Sequence, residues 1–423
     1  MLRPEDNERL VRVGPGSPAG ELLRRYWMPA ALSSELPEAD GSPVRVRILC
    51  EDLIAFRDST GAVGLVDANC PHRRAPMFFG RNEDCGLRCV YHGWKFNRAG
   101  DCTDMPSEPA GTPLQAKVKI KSYPVHEAGG IVWTYMGPKA HMPAPPDLEW
   151  MRAPATHRIV SKTFEHCNYL QGLEGGLDTA HSSFAHNNDI ANKRNTRTLD
   201  TAPLLDVETT DYGYSYVSTR RIGPDSRYVR IYHYVMPVQQ MRGAISALDG
   251  TLRDIPEIDG HIWVPVDDET TNVYNWAYSY DHTYPIDPHH AEMRESYAGR
   301  GKEHMIPGTF KLIANMSNDY FIDRHVQKTK TFTGVPGVNT QDFALQEGMG
   351  AIVDRSKEFL GTSDKAIVTM RRLMLEATRD VERGAPLRGL DPAAARDIRP
   401  YDNIVKGDVD WREVFAEELR AKF

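Results

Sequence analysis

The amino-acid sequence predicts an α+β fold in two parts: a small all-β module, then a larger antiparallel sheet with helices around it. Three observations carry this. Short segments of alternating apolar and polar residues occur on both sides of a Pro-rich join at 138–146, while helical periodicity is concentrated after it. The alternation fits antiparallel strands with one face buried. The chain has 423 residues, too many for one ordinary hydrophobic core.

Taken in order, residues 44–49 (Val-Arg-Val-Arg-Ile-Leu) alternate, and 52–66 read as a hairpin around Asp58-Ser-Thr-Gly61. A further strand pair is predicted at 117–123 and 130–135, with Gly129-Gly130 as a turn signal. These bound an all-β domain at 41–138, preceded by a segment at 1–40 that packs with the second domain, 139–423. In that second domain, strands are predicted at 214–221, 227–235, 261–264 and 272–280. Helices are predicted at 166–183, at 340–357, at 364–381 after Ser363 as N-cap, and at 411–422.

Charge and cysteine use narrow the function classes. A formal net charge of −7 argues against nucleic acid or an anionic membrane as partner. No apolar run approaches a membrane span, and the polar start Met1-Leu-Arg-Pro-Glu predicts no secretory signal. A cytoplasmic location is therefore expected. Cys50, Cys85, Cys102 and Cys167 then read as free thiols.

The most informative motif is Cys70-Pro-His72 followed, after sixteen residues, by Cys89-Val-Tyr-His92. Two thiolates and two imidazoles satisfy a tetrahedral Zn²⁺, and equally a Rieske [2Fe–2S] cluster with two Cys on one iron and two His on the other. The flanks favour the cluster: Pro71, Pro76 and Gly93-Trp94 put both pairs in loops, whereas zinc fingers of comparable spacing pair Cys with Cys. Neither loop has a spare Cys, and Trp94 stands where a cluster-bonding Ser would raise the potential. That sets an expected potential near the low end of the Rieske range, about −150 mV.

A redox cluster implies a destination for its electrons. His181 and His186 are candidates for the two imidazoles of a 2-His-1-carboxylate iron site. Five residues on an ideal helix rotate a side chain by about 140°, so both can face one metal only if the helix ends between them. Ser182-Ser183 allows that ending.

Taken together, C-x-H-x16-C-x2-H and D-x2-H-x4-H resemble the oxygenase component of the Rieske non-haem iron ring-hydroxylating oxygenases. The runs Arg25-Tyr-Trp-Met-Pro-Ala, Glu174-Gly-Gly-Leu-Asp-Thr-Ala-His181 and Gln341-Asp-Phe-Ala-Leu-Gln-Glu347 resemble the phthalate 4,5-dioxygenase-like branch, which also contains aryl O-demethylases. The resemblance implies a Rieske domain, a helix-grip catalytic domain with mononuclear Fe(II), and a homotrimer or stacked trimers. It makes His181, His186 and Asp342 the iron ligands, with Asp319, Asp323 and Asp354 as competitors for the carboxylate. It makes Asp178 the bridge from His181 to His92 of the adjacent chain, and it places Asn168 near the open iron position, although a structural amide explains Asn168 as well. The implied reaction uses O2 and electrons passed from NADH by a flavin/iron–sulfur reductase to dihydroxylate an aromatic carboxylate. Arg242 or Arg230 would bind the carboxylate. O-demethylation draws on the same residues. A catalytically silent Rieske electron carrier and a zinc-stabilised binding protein are the rival readings.

Overall fold

In the computed structural model, which describes residues 1–193, 195–243 and 256–423, the chain opens with helices α1 (Pro4–Val11) and α2 (Pro18–Leu23) and strand β1 (Trp27–Leu32). Both helices carry Pro in the first turn, where its missing N–H costs nothing. The alternating stretch becomes β2 (Val44–Ile48), β3 (Glu51–Arg57) and β4 (Val63–Asp67), and the hairpin between β3 and β4 closes as predicted, with Gly61 at φ 83°. A second small sheet follows from β5 (Arg81–Glu83), β6 (Gly86–Arg88), β7 (Lys95–Phe96) and β8 (Cys102–Asp104).

The predicted strand at 117–123 is not formed. Leu114–Lys117 is a helical turn, α3, Lys119 makes a single bridge to Asp101, and only β9 (Ser122–Tyr123) forms a strand, pairing with β4. The hairpin partner of β11 (Ile131–Tyr135) is β10 (Val125–Ala128), joined through the expected Gly129-Gly130 turn. Pro124 explains the split, since it lacks the donor a continuous central strand would need there. The other neighbour of β11 is β1, so the first forty residues contribute a strand beside the all-β module. The two helices α1 and α2 pack instead on a long helix of the second domain, Lys365–Arg383.

After the Pro-rich join and the short α4 (Glu149–Arg152), the second domain is built on one antiparallel sheet. Its strands are β12 (Arg158–Glu165), β13 (Leu204–Thr210), β14 (Gly213–Gly223), β15 (Ser226–Val235), β16 (Gln239–Gly243), β17 (Glu257–Pro265), β18 (Thr271–Ser279) and β19 (Asp402–Lys406). Their order is β12-β18-β17-β16-β15-β14-β13, with β19 also paired to β15. Over it lie α5 (Tyr169–Leu177), α6 (Thr196–Leu199), α7 (Pro288–Ala298), α8 (Arg324–Thr329), α9 (Val338–Gly348) and α10 (Lys365–Arg383). This is the α+β arrangement predicted. Ser363 is not the N-cap of α10; it sits in a preceding 3-10 turn, and Asp364 is the capping residue. The 411–422 helix reduces to Trp411–Val414.

Two hydrophobic cores result. The smaller gathers Phe56, Val66, Met77, Leu87, Phe96 and Ile120 around Cys70 and Cys89. The larger runs through the sheet and helices of the second domain and takes in β1, β2 and β11. At its centre α5 lies unusually close to β17. A Cβ on Gly172 or Gly176 would stand 2.5 Å or 2.1 Å from the Trp263 ring, so only glycine permits this approach.

Candidate metal centres

The loop after β4 holds Cys70 and His72, and the loop between β6 and β7 holds Cys89 and His92. Each turns back on itself through backbone bonds: Cys70 N to Ala75 O at 2.8 Å, and Cys89 N to Trp94 O at 2.8 Å. Both thiols are buried, and burial together with the neighbouring Cys89 pushes the Cys70 thiol up to about 11. The imidazoles of His72 and His92 lie with ring centroids 4.5 Å apart, and Trp94 stacks on His72 at 4.3 Å. The Nδ1 atoms of both histidines are buried without a hydrogen-bond partner. Two buried thiols and two orphaned imidazole nitrogens form the donor set that a [2Fe–2S] cluster of the Rieske type satisfies, so the residues present fit the group.

The second constellation lies beyond α5. Asn168 caps the start of that helix by accepting from Leu170 N at 3.1 Å. Its amide nitrogen is committed to Val11 O at 3.0 Å and Asp268 O at 2.7 Å. Asn168 is thus a structural amide tying α1 to the sheet; its hydrogen bonds are spent there, away from the histidines. The helix also ends earlier than the sequence reading required. Asp178 is already extended (φ −72°, ψ 123°), because its Oδ1 accepts from Ala180 N at 2.7 Å and His181 N at 3.3 Å, competing with the helical pattern. His181 therefore starts a 3-10 turn of its own, and His186 comes round to meet it.

His181 Nε2 and His186 Nε2 are 3.0 Å apart, and Asp342 Oδ1, from α9, is 3.5 Å and 3.2 Å from them. Among the described residues this is the one group of three or more His, Cys, Asp or Glu side chains close enough to share a metal ion. The competing aspartates are placed otherwise. Asp323 caps α8, Asp354 caps a 3-10 turn, and Asp319 lines a neighbouring cleft. Burial raises the Asp342 carboxyl, but His186 and His181 outweigh it and hold the net shift downward. Two imidazole nitrogens and a carboxylate oxygen converging on one point, with room beside them, fit a mononuclear iron with open positions.

Around these three, the supporting groups are specific. His186 Nδ1 lies 2.9 Å from Gln341 Oε1, and Gln341 Nε2 donates to Asn188 Oδ1 and Val335 O. The amide is thereby oriented, His186 carries its proton on Nδ1, and Nε2 is left for a metal. Sequence reasoning quoted Gln341 only as part of a motif; its signal was adjacency to Asp342. His181 Nδ1 faces Asp178 Oδ2 at 3.6 Å.

A cavity of about 180 Å³ opens beside His181, His186 and Asp342, and both Arg230 and Arg242 line it. Arg230 is spent on Gly243 O, at 2.9 Å and 2.6 Å. Arg242 donates to Asp259 Oδ1 at 2.6 Å and to His261 Nε2 at 2.9 Å. Three further arginines reach this cavity: Arg294 is paired with Asp259 and Glu257, and Arg300 with Glu295. The third, Arg197 of α6, has no carboxylate partner among the described residues, and burial with the nearby Arg230 pulls it down to about 10. No motif marked Arg197 in the sequence.

Comparison with known proteins agrees with both centres. Residues 26–124 match the Rieske [2Fe-2S] domain family, and residues 134–422 match the family described as LigXa C-terminal domain like. The chain is 38% identical to the phthalate 4,5-dioxygenase oxygenase subunit of Pseudomonas putida, over all of this chain and 96% of that one. It is 35% identical to the 3-chlorobenzoate-3,4-dioxygenase oxygenase subunit of Comamonas testosteroni, over 99% of each. It is also 35% identical to the 5,5'-dehydrodivanillate O-demethylase oxygenase subunit of Sphingobium sp., over 100% of this chain and 91% of that one. Among solved structures, dicamba monooxygenase bound to dicamba superposes with a TM-score of 0.63 at 20% identity, covering 86% of this chain and 99% of that one. The chain belongs to the Rieske non-haem iron oxygenases, as an oxygenase component. Within them it falls in the branch of the phthalate 4,5-dioxygenase oxygenase subunit. It is an oxidoreductase, and its cofactors are a Rieske [2Fe–2S] cluster and a mononuclear non-haem iron.

Proposed function

We propose that this chain is the terminal oxygenase that hydroxylates an aromatic carboxylate with O2 and electrons drawn from NADH through a reductase. The observation that carries the substrate class is Arg197: a partly buried guanidinium with no acid to neutralise it among the described residues, in the same cavity as His181 and Asp342. Burying a charge without a partner is costly, and a substrate carboxylate supplies the missing anion. Arg242 is the second contact, and Arg230 is secondary because Gly243 O already holds it. Residue roles follow the geometry. Cys70, His72, Cys89 and His92 hold the cluster; His181, His186 and Asp342 hold the iron. Iron bound there supplies the activation of O2. Gln341 fixes the tautomer of His186, and Asp178 holds His181 by its Nδ1 edge and offers the link to His92 of a neighbouring copy.

That link needs a ring of copies, and two exposed apolar patches support one. Val90, Tyr91 and Phe79 are exposed on the cluster loops; Phe184, Phe332 and Leu345 are exposed near His181. Two different apolar patches on one chain favour head-to-tail association, which closes into a ring such as a trimer. The six cysteines form no disulfide, which suits a reducing cytoplasm. One solved neighbour, carbazole 1,9a-dioxygenase, is an oxygenase and ferredoxin complex.

The test is NADH- and O2-dependent turnover of phthalate, benzoate and methoxybenzoates with a flavin/iron–sulfur reductase, products identified by mass. Turnover of phthalate with no turnover of dimethyl phthalate is expected, and equal rates on acid and ester would overturn the carboxylate reading. The products also separate ring dihydroxylation from loss of a methyl group. The latter is the chemistry named for the O-demethylase relative.

A further inference from the structure

The strands facing the iron cavity carry, beside Arg242, a row of polar side chains that the roles above leave unused. Arg242 on β16 stands opposite Asp259 on β17, and two residues further along β17 His261 stands opposite Asn275 on β18. His261 and Asn275 are both buried. Arg242 Nη2 is 2.9 Å from His261 Nε2, and His261 Nδ1 is 2.7 Å from Asn275 Oδ1. A guanidinium can only donate, so His261 Nε2 must accept, and the ring proton must sit on Nδ1 and be donated to Asn275 Oδ1. Asn275 is itself oriented, because its Nδ2 donates to Val273 O at 3.3 Å. The chain Asn275, His261, Arg242 therefore has one consistent direction of donation. Burial and the charge of Arg242 push His261 down to about 3, so the ring stays neutral beside the guanidinium.

We infer that His261 and Asn275 are positioning residues for substrate binding: with Asp259 they fix Arg242 by its Nε and Nη2, leaving Nη1 to meet the substrate carboxylate. Among the described residues Nη1 has no partner, and Arg242 lines the cavity beside His181 and Asp342. Arg has a long, rotamer-rich side chain, and holding it in place before substrate arrives removes that ordering cost from binding. Asp259 alone would not suffice, because it is shared: its Oδ2 accepts from Arg294 Nη2 at 2.7 Å. The neutral imidazole adds an acceptor without adding a second negative charge that would repel the substrate. Specificity for an anion is thus built from a cation held by one carboxylate and one neutral ring.

The inference rests on the aromatic-carboxylate reading, and the experiment separates the two. Phthalate is titrated calorimetrically into the holoenzyme carrying His261→Asn, His261→Gln, Arg242→Gln, or His261→Asn with Arg242→Gln. The Asn amide keeps a partner for Asn275 but is too short to reach Arg242; the Gln amide reaches. His261→Asn should weaken phthalate binding about tenfold, the loss of one hydrogen bond to a charged group. His261→Gln should restore most of it, and in His261→Asn KM should rise with kcat held within about twofold. In the Arg242→Gln background His261→Asn should change nothing further. An unchanged affinity in His261→Asn, or the same loss with and without Arg242, would overturn the positioning role while leaving the substrate class standing. If the wild type binds no phthalate and turns over no aromatic acid, the substrate reading fails and takes this inference with it. The visible spectrum of the cluster, together with a full content of mononuclear iron, reports that each variant is folded in both domains.

Discussion

The two oxygens of Asp178 have separate partners, and this division predicts what a single-atom change would do. Oδ1 accepts from two backbone N–H groups and shapes the turn; Oδ2 faces His181 Nδ1 at 3.6 Å. Asp178→Asn can keep Oδ1 as an acceptor, so the turn and both metals should remain, while the charge facing His181 is lost. Cluster-to-iron electron transfer should then slow by orders of magnitude, read as cluster reoxidation after mixing pre-reduced protein with substrate and O2. Reoxidation at the wild-type rate, or loss of the mononuclear iron, would count against the assigned role. Gln341 is the complementary case. Gln341→Ala removes the acceptor from His186 Nδ1 and frees the ring to turn or change tautomer, so iron affinity should fall by about 10–100-fold, measured by chelator competition. An unchanged affinity would mean that the three ligands orient themselves.

At the scale of elements, the close contact of α5 with β17 controls the site. Gly176 lies against the Trp263 ring, two residues before Asp178 and five before His181. Gly176→Ala must push the helix end off the sheet, at a cost of about 1–3 kcal/mol for overpacking. Loss of mononuclear iron with an intact Rieske spectrum is expected, and metal analysis beside the visible spectrum checks it; full iron content would show that the contact can relax. This contact also shows where the sequence was legible and where it was not. The cluster ligands could be read because all four lie within 23 residues in a fixed spacing. His181 and His186 could be read as a pair, yet the helix was carried past Asp178, since helical propensity does not reveal an Asx turn that ends it early. Of the two roles the sequence leaves open for Asn168, the hydrogen bonds match the structural amide, and its partners, Val11 and Asp268, are brought to it by tertiary structure alone. Arg197, on a four-residue helix with no motif, gives no signal in the sequence; it stands out only in three dimensions, where no carboxylate among the described residues pairs with it. Strands with clear alternation, such as β2, β14 and β15, are legible in the sequence, but the short β5–β8 carry no periodic signal, and the pairing of β10 with β11 depends on Pro124 rather than on apolar pattern.

At the scale of the whole molecule, the surface chemistry makes the communication between the two metal centres testable. Tyr91 sits beside His92 with ring centroids 4.1 Å apart, and it is 57% exposed, so it caps the cluster end of the chain with an apolar ring. Exposed aromatic side chains next to a redox centre suit a surface that another chain covers. The second exposed patch is Phe184 packed on Phe332, ring centroids 5.5 Å apart, in the cleft that also includes His181. If copies associate head to tail through these patches, a charge placed at Tyr91 must be buried against Phe184 without a counter-ion, which the assembly cannot tolerate. Tyr91→Glu should therefore convert the ring to monomers in sedimentation, while each monomer keeps its cluster and its mononuclear iron. Reductase should still reduce the cluster, yet reoxidation by substrate and O2 should all but cease, because electrons would have no neighbouring His181 to reach. Loss of turnover together with retained assembly would place Tyr91 in the electron path but outside the interface. Full turnover in a monomer would show that electrons pass within one chain, and the link assigned to Asp178 between copies would have to be abandoned.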